Sequence, residues 1–310
     1  MQVHTNLDLL PQFKNAVLTI GTFDGVHLGH RQILKALSDE AVSIGGESII
    51  ITFDPHPRKI VQPDTSLQLI NTLSERIELL TEEGINHLVV VPFNKEFANQ
   101  PADTYIKDFL VSKFHPKSII IGYDHHFGKG RQGNFRLLEE KAAVYGYNLI
   151  EISKHILDEI DISSTKIRHA IQSGNIEKAN KLLGYDFFFE GKVITGDKLG
   201  RQLGYPTANL VYTDSDKIHL GEGVFAVTVS INGSNKKGML SIGKRPTLND
   251  SIERVEVNIF DFTEDIYGQH LKVSVKKYLR PQQKYDSLEK LKKQLEKDRL
   301  ASLEMLLPYS

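Results

Sequence analysis

Residues 21–30 read GTFDGVHLGH, and this turn segment decides the fold of the first half of the chain. Before it lies AVLTI (16–20), an apolar run with the length and composition of a buried parallel strand. An amphipathic helix pattern follows it, from about Gly29 to Ile44. We therefore expect a strand-to-helix turn, where glycines allow a ligand to approach the backbone and the helix N-terminus attracts an anion.

Two histidines in the turn segment, His27 and His30, lie three residues apart. If both reach the start of the helix, their side chains project to the same side. Two imidazoles beside a phosphate-sized anion site suggest stabilisation of charge on a nucleotide phosphate. The alternative is structural, because glycine-rich turns are common and paired histidines often only hydrogen-bond to the backbone.

The first 160 residues alternate strand-like and helix-like patterns, which predicts a parallel, doubly wound α/β sheet. The strand-like runs are 16–20, 48–53, 87–93, 118–122 and 148–152. The helix-like segments between and after them are near 29–44, 74–83, 102–113, 134–146, 163–172 and 175–183.

From about residue 185 strand patterns follow one another without helices, which predicts a small antiparallel barrel or sandwich. The runs are 187–195, 224–231, 238–243, 254–262 and 271–279, with a turn signal, NGS, at 232–234. A final amphipathic helix is predicted at 287–307, and we expect its charged face to be solvated.

The composition excludes several classes of site and location. The chain has no cysteine, which excludes disulfides, thiolate metal sites and a cysteine nucleophile, whereas its 12 histidines leave zinc open. A formal net charge of −1 gives no overall attraction for nucleic acid. No signal-peptide pattern and no apolar run of about 18 residues is present, so we expect a cytoplasmic protein without a membrane span.

Three further motifs accompany the turn segment: TFDPHP (52–57), GYDHHFGKGRQG (122–133) and ISSTKIR (162–168). The first two follow predicted strands, and ligands of open α/β sheets bind at such strand ends. The structural alternatives are a rigid turn, a flexible loop and a helix cap, respectively.

Together these motifs resemble the His-x-Gly-His nucleotidyltransferases, and above all the adenylyltransferase half of bacterial bifunctional riboflavin kinase/FAD synthetases. The resemblance implies a Rossmann-like domain that transfers AMP from ATP to FMN and releases pyrophosphate, with Mg²⁺ accompanying ATP. It implies His27 and His30 as catalytic residues. Nucleotide or phosphate contacts are expected from Gly21, Phe23, Asp24, Gly25, Gly29, Ser164, Thr165 and Arg168, and weaker nucleotide or flavin contacts from His56, Asp124 and Phe127.

The second half contains GKVITGDKLGRQLGYPTANL (191–210), in which Thr207 and Asn209 offer hard oxygen ligands suited to magnesium. On spacing alone, a glycine-rich barrel corner is at least as good an interpretation. However, the GRxLGxPTAN pattern resembles riboflavin kinases, which implies a six-stranded antiparallel barrel with a terminal helix. The nucleotide or phosphate contacts implied there are Gly191, Gly196, Arg201 and Gly204.

The same resemblance extends through GVFAV (223–227), SIGKRPT (241–247), VEVNIFDF (255–262) and the tail 278–298. It implies Glu256 as the base that accepts the proton of the riboflavin 5′-hydroxyl, and a weaker flavin or nucleotide contact from Arg280. Strand alternation places Glu256 on the face opposite Val255 and Val257, although a solvated glutamate has the same pattern.

We therefore expect an adenylyltransferase domain at 1–184 and a riboflavin kinase domain at 185–310. ATP and riboflavin would give FMN and ADP, and ATP and FMN would give FAD and pyrophosphate. A monomer or weak homo-oligomer, without nucleic-acid or membrane partners, is expected. The alternatives are another His-x-Gly-His nucleotidyltransferase, such as a cytidylyltransferase, and a non-catalytic flavin-binding or regulatory protein.

Overall fold

The computed structural model describes residues 1–64, 66–123, 125–152, 162–196, 200, 203–244 and 253–309. Asp124, Arg201 and the end of SIGKRPT lie outside these residues. The chain divides into a sheet unit, Met1–Ser164, and a barrel unit, Thr165–Ser310. The domain boundary expected after residue 184 stays a prediction.

The sheet unit contains six parallel strands in the order β1-β4-β3-β2-β5-β6. Three of its central strands are buried along almost their whole length, as expected for a sheet covered on both faces. The strands are β1 Gln2–His4, β2 Val17–Ile20, β3 Ser48–Asp54, β4 His87–Pro92, β5 Ser118–Gly122 and β6 Asn148–Ile152.

The order of the strands reverses at β2, which has β3 on one side and β5 on the other. The carboxyl end of such a strand is a topological switch point, where open α/β sheets bind ligands. Gly21 follows β2 directly, and its N–H donates to the carbonyl of Ile51 on β3 at 3.0 Å. The turn segment therefore starts at this switch point.

The helices of the sheet unit mostly follow the predicted pattern. The segment predicted at 102–113 is helical from Ala102 to Phe114, but its middle, Tyr105–Val111, has π-helical hydrogen bonding. The helices are α1 Leu28–Ser43, α2 Pro57–Val61, α3 Leu73–Glu82, α4 Lys95–Ala98, α5 Ala102–Thr104, α6 Ser112–Phe114 and α7 Phe135–Tyr145.

The barrel unit contains a closed antiparallel barrel with the strand order β10-β11-β8-β7-β12-β9, which closes because β9 pairs with β10. This confirms the six-stranded barrel rather than a sandwich. The strands are β7 Phe188–Ile194, β8 Ala208–Tyr212, β9 Gly223–Ile231, β10 Ser234–Lys244, β11 Glu253–Ile259 and β12 His270–Arg280.

The predicted turn at 232–234 joins β9 to β10 in a tight hairpin. Asn232 and Gly233 have φ angles of +48° and +79°, the backbone that a two-residue hairpin turn requires and that asparagine and glycine adopt most easily. The longer helices among the described residues of the unit are α8 Ser164–Gln172, which begins at the last residue of the sheet unit, α9 Ile176–Leu183 and the terminal α10 Leu288–Met305.

Candidate active sites

The turn segment has an unusual backbone. Phe23 and Val26 have φ angles of +48° and +33°, which are uncommon for residues with a side chain, and Gly25 has a φ of +93°. Such strained positions cluster at functional sites. The resulting tight loop delivers His27 to the N-cap of α1, where its Nδ1 accepts a hydrogen bond from the backbone N–H of His30 at 3.3 Å.

The two imidazoles stack face to face, with ring centroids 3.7 Å apart and an angle of 13° between the rings. The backbone of Gly29 lies against the His27 ring, and a Cβ at residue 29 would approach two atoms of that ring at 3.2 Å. The glycine between the histidines therefore leaves room for the stacked pair.

His30 is held in its neutral form. Burial lowers its pKa well below the usual value, and the neighbouring His27 and Arg76 lower the pKa further. The edge of the Phe23 ring packs against His30 at 5.1 Å between centroids. The buried Nδ1 of His30 has no hydrogen-bond partner within the described part of the chain.

Asp24 connects the turn segment to two other parts of the sheet unit. Its buried carboxylate accepts a hydrogen bond from the backbone N–H of Asn71 at 3.1 Å. Its backbone carbonyl accepts a hydrogen bond from the hydroxyl of Ser164 at 3.0 Å. These contacts bring the start of ISSTKIR to the turn segment and give Asp24 a structural role.

The remaining predicted site residues of this half lie outside the turn segment. His56 caps α2, accepting from the backbone N–H of Arg58 at 3.1 Å. Phe127 is buried and stacks on Tyr105 with ring centroids 5.0 Å apart. Thr165 is exposed and Arg168 half-buried on α8, within the barrel unit.

Sequence reasoning missed Arg76, which lies in the first turns of α3 and is only 2% exposed. Its Nη1 donates to the backbone carbonyl of Thr22 at 2.5 Å and lies 3.2 Å from the hydroxyl oxygen of Thr52. A signal for Arg76 was present, since it stands three and four residues before the buried Leu79 and Leu80. An arginine on the apolar side of a helix is rarely buried without a partner.

The barrel unit contains a cavity of about 490 Å³ on its described surface. Four predicted site residues, Thr207, Asn209, Glu256 and Arg280, line this cavity. Burial along β11 confirms the predicted alternation, because Val255 and Val257 are buried whereas Glu256 is half-buried and faces the cavity. The described structure thus brings the kinase candidates together.

Two glycines allow close approach of the backbone to the proposed metal ligands. A Cβ at Gly196 would lie 2.0 Å from Nδ2 of Asn209, and one at Gly200 would lie 3.2 Å from Oγ1 of Thr207. Asn209 is also the cross-strand partner of Glu256. The hydroxyl, amide and carboxylate oxygens available there are the hard donors that Mg²⁺ prefers, so the residues fit this ion.

Gly191 and Gly204 have structural explanations in the described residues. Gly191 lies inside β7, where a Cβ would approach that of Leu210 at 3.1 Å, and Gly204 has a φ angle of +81°. Sequence reasoning also missed Asn258, whose amide donates to the carbonyl of Pro206 at 2.6 Å and so anchors the backbone next to Thr207.

Arg280 forms an ion pair that crosses from β12 to the terminal helix. Its Nε and Nη2 donate to Asp298, with Nη2 2.7 Å from Oδ2, and Gln294 donates to the same carboxylate at 2.8 Å. Most charged residues of this helix are exposed, as expected, but Asp298 is only 3% exposed and is the exception. The helix contributes Leu291, Leu295 and Asp298 to the cavity wall.

Comparison with known proteins gives consistent results for both halves. A family model described as FAD synthetase matches residues 10–166, and one described as riboflavin kinase matches residues 183–306. A bifunctional riboflavin kinase/FMN adenylyltransferase from Escherichia coli strain K12 is 35% identical over 96% of this chain and 95% of its own length. The enzyme of the same name from Haemophilus influenzae is 36% identical over 92% of each chain.

A crystal structure described as a macrolide-efflux protein from Streptococcus pneumoniae has the same fold, with a TM-score of 0.86, 30% identity and 97% of each chain covered. Among the residues that the structure describes, no helix is long and apolar enough to cross a membrane. The family models and the curated relatives agree over nearly the full length, so the chain belongs to the bifunctional riboflavin kinase/FMN adenylyltransferase family.

Proposed function

We propose that the chain makes FAD in two ATP-dependent steps, each assigned mainly to one of the two units. The barrel unit transfers the γ-phosphoryl group of ATP to riboflavin, giving FMN and ADP. The sheet unit then transfers AMP from a second ATP to FMN, giving FAD and pyrophosphate. The observation that carries this proposal is the joint presence of the stacked His27–His30 pair at the switch point and the cavity lined by Thr207, Asn209 and Glu256.

In the adenylyl transfer, an oxygen of the FMN phosphate attacks the α-phosphorus of ATP, and the bond from that phosphorus to the bridging oxygen of pyrophosphate breaks. The attacking group is already an anion, so the protein needs to position the reactants and stabilise charge rather than supply a nucleophile. We assign that stabilisation to His27 and His30. Ser164, with Thr165 and Arg168 on the same helix, is proposed to hold the β- and γ-phosphates.

In the kinase step, the 5′-hydroxyl of riboflavin attacks the γ-phosphorus of ATP, and ADP leaves. The hydroxyl loses its proton, and Glu256 is the proposed acceptor because its carboxylate faces the cavity and can act as a general base. Arg280 lines the cavity and donates to Asp298, so we propose that it influences flavin or nucleotide binding by holding this part of the cavity wall in place.

Magnesium fits the oxygen donors of the barrel cavity, and Thr207 and Asn209 would hold it. When bound, the ion would offset negative charge on the nucleotide phosphates. In the sheet unit, Gly21, Phe23, Gly25 and Gly29 are proposed to shape the nucleotide site. The further contacts proposed are Asp24, His56, Asp124 and Phe127 in the first half and Gly191, Gly196, Arg201 and Gly204 in the second.

The remaining proposals concern location and assembly. We propose that the enzyme works in the cytoplasm, as a monomer or weak homo-oligomer, with ATP, riboflavin and FMN as its partners. A net charge of −1 supports the proposal that nucleic acid is not a partner.

One time course tests the function. The full chain is incubated with riboflavin, ATP and Mg²⁺, and the flavins are separated by chromatography. We expect riboflavin to decline, FMN to appear first, and FAD to follow with release of pyrophosphate. Flavin binding without ATP turnover would instead support the non-catalytic alternative. Turnover of FMN with CTP but not ATP would support another nucleotidyltransferase specificity.

A further inference from the structure

Among the residues that the structure describes, no carboxylate forms an ion pair with the buried guanidinium of Arg76, although such a charge is usually paired when buried. Its two hydrogen bonds, to Thr22 and Thr52, both come from Nη1. Within the described residues, Nε and Nη2 have no hydrogen-bond partner. Burial lowers the pKa of Arg76, whereas the charges of Asp24 and Asp54 raise the pKa and favour the charged form. Burying an incompletely hydrogen-bonded cation costs free energy, which favours a functional role for Arg76.

The partners of Arg76 lie at the mouth of the sheet. Thr22 belongs to the turn segment, and Thr52 lies near the carboxyl end of β3, the strand next to β2. The hydroxyl of Thr52 also donates to the carbonyl of Thr22 at 3.3 Å. Nη1 of Arg76 therefore links the turn segment, which leads to His27, with the neighbouring strand β3.

The helix that carries Arg76 is itself anchored to the turn segment. Thr72 and Glu75 form a capping box at the start of α3, which fixes the first turn of this helix. Asn71, just before the cap, donates its N–H to the carboxylate of Asp24. Two hydrogen bonds thus set the position of Arg76 relative to the turn segment: that of Asn71 with Asp24 just before α3, and that of Arg76 itself with Thr22.

We propose that Arg76 is a positioning residue of the adenylyltransferase site: its buried guanidinium fixes the turn segment against β3 and places a permanent positive charge beside His30. This inference rests on the adenylyl transfer proposed for the sheet unit. Arg76 acts through the backbone of Thr22 and through the imidazole of His30.

The charge of Arg76 has a direct consequence for His30. The groups that act on His30 are His27 on its own helix and Arg76 on α3, while Asp24 and Asp54 lie near Arg76 and offset part of its charge. Burial is the largest cause of the lowered pKa of His30, and the positive charge of Arg76 lowers this pKa further, which favours a neutral imidazole that can donate one N–H and accept at its other nitrogen. Removing the arginine charge raises the pKa of His30.

Two substitutions separate the charge of Arg76 from its hydrogen bonds. Arg76→Met removes both, whereas Arg76→Lys keeps a positive charge on a shorter side chain that ends before the position of Nη1, the atom that makes both hydrogen bonds. Arg31→Met is the matched control, because Arg31 follows His30 directly yet forms an ion pair with Glu83 at 3.1 Å. FMN formation by the same molecules reports that the barrel unit of each variant is intact, and thermal unfolding of the full chain reports whether the sheet unit still folds.

The first measurement is the titration of the His30 ring, followed by NMR in the full chain and assigned by comparison with His30→Gln. We expect the titration to move to higher pH in Arg76→Met and to stay near the wild-type position in Arg76→Lys and Arg31→Met. A purely structural role would lower thermal stability without moving this titration. The readout does not depend on enzyme turnover, so it is separate from the proposed function.

The second measurement is kcat for FAD formation from supplied FMN across the same pH range. We expect both Arg76 variants to lose roughly 10²-fold, the scale for a misplaced catalytic group, while FMN formation is retained. If Arg76→Met does not fold, the test is the loss of kcat for FAD formation in Arg76→Lys. An unchanged His30 titration in folded Arg76→Met, or an unchanged FAD rate in Arg76→Lys, would overturn the proposal. Absence of FAD formation in the unchanged chain would instead refute the proposed function.

Discussion

At the scale of single residues, the proposed adenylyl transfer depends on the stacked pair of His27 and His30. His27 caps the helix and stacks on His30, so each ring fixes the orientation of the other. We expect His27→Ala or His30→Ala to slow FAD formation by roughly 10²–10³, the scale for one lost donor in a preorganised site. FMN formation should hardly change, because that reaction is assigned to the barrel unit. Steady-state rates for both products check this, and equal loss of both would indicate a structural role.

Glu256 is the residue-scale test in the barrel. Glu256→Gln keeps the shape of the side chain and removes its basicity, so riboflavin phosphorylation should fall by about 10²–10⁴, the usual contribution of a positioned general base. Conversion of supplied FMN to FAD should persist. Product analysis with each flavin as substrate measures both reactions. Near-normal kinase turnover in the folded variant would remove Glu256 from the mechanism.

At the scale of elements, periodicity predicts the long strands and helices and misses the short ones. The buried runs that became β3 and β4, and the amphipathic runs that became α1 and α7, are all visible in the sequence. Strand β1 was missed because three residues are too few to establish a period. Strand β8 was missed although it is as long as β5, because it lacks the run of buried isoleucines that marks β5, and only Leu210 of its five residues is buried. Two short helices, α2 and α4, span too few residues to show a helical period.

The prediction of site residues shows a similar division between distinctive motifs, which the sequence reveals, and single residues, which it does not. The motifs point to His27, Thr207 and Glu256 because their residue types and spacing are distinctive. Arg76 and Asp298 were missed because each is one charged residue in an ordinary amphipathic helix. The spacing of Arg76 from Leu79 and Leu80 places it on the apolar side of its helix, but a local pattern does not reveal which groups pack against either charged residue.

The terminal helix supplies a prediction at this scale. Asp298→Ala leaves the guanidinium of Arg280 unpaired in a largely buried position, which should lower stability by about 3–5 kcal/mol. We also expect a higher KM for riboflavin, since α10 forms part of the cavity wall. The matched control is Asp286→Ala, whose exposed pair with Lys290 should contribute at most about 1 kcal/mol. Chemical unfolding of the full chain, with kinase kinetics, compares the two variants, and similar small losses of stability would show that the ion pair of Arg280 with Asp298 does not stabilise the barrel unit.

At the scale of the whole molecule, the helices before the barrel belong to it structurally. The amide of Asn180 on α9 donates to the carbonyl of Val275 on β12 at 2.9 Å, and its oxygen accepts from the N–H of Phe187 at 2.8 Å. The carboxylate of Glu177 accepts from the N–H of Tyr278 at 3.1 Å. A cut after residue 184 would remove all of these contacts.

We therefore expect the fragment 165–310 to have a higher Tm than the fragment 185–310. The fragment 165–310 should convert riboflavin to FMN without making FAD, because it lacks the turn segment. Thermal unfolding and flavin chromatography of both fragments check this. Equal Tm values would show that α9 does not support the barrel, and a folded but inactive longer fragment would show that the kinase is not an independent module.

The glycine beneath the His27 ring also constrains how related sequences can diverge. A side chain at residue 29 would come within 3.2 Å of two atoms of the imidazole at residue 27, so the ring would have to shift by a few tenths of an ångström. In a lineage that no longer needs adenylyl transfer, a smaller residue 27 would let residue 29 acquire a side chain without this conflict. We expect an alignment of relatives to contain many sequences that keep the glycine after losing the histidine and almost none with the reverse combination. Frequent retention of the histidine beside a larger residue 29 would contradict this history.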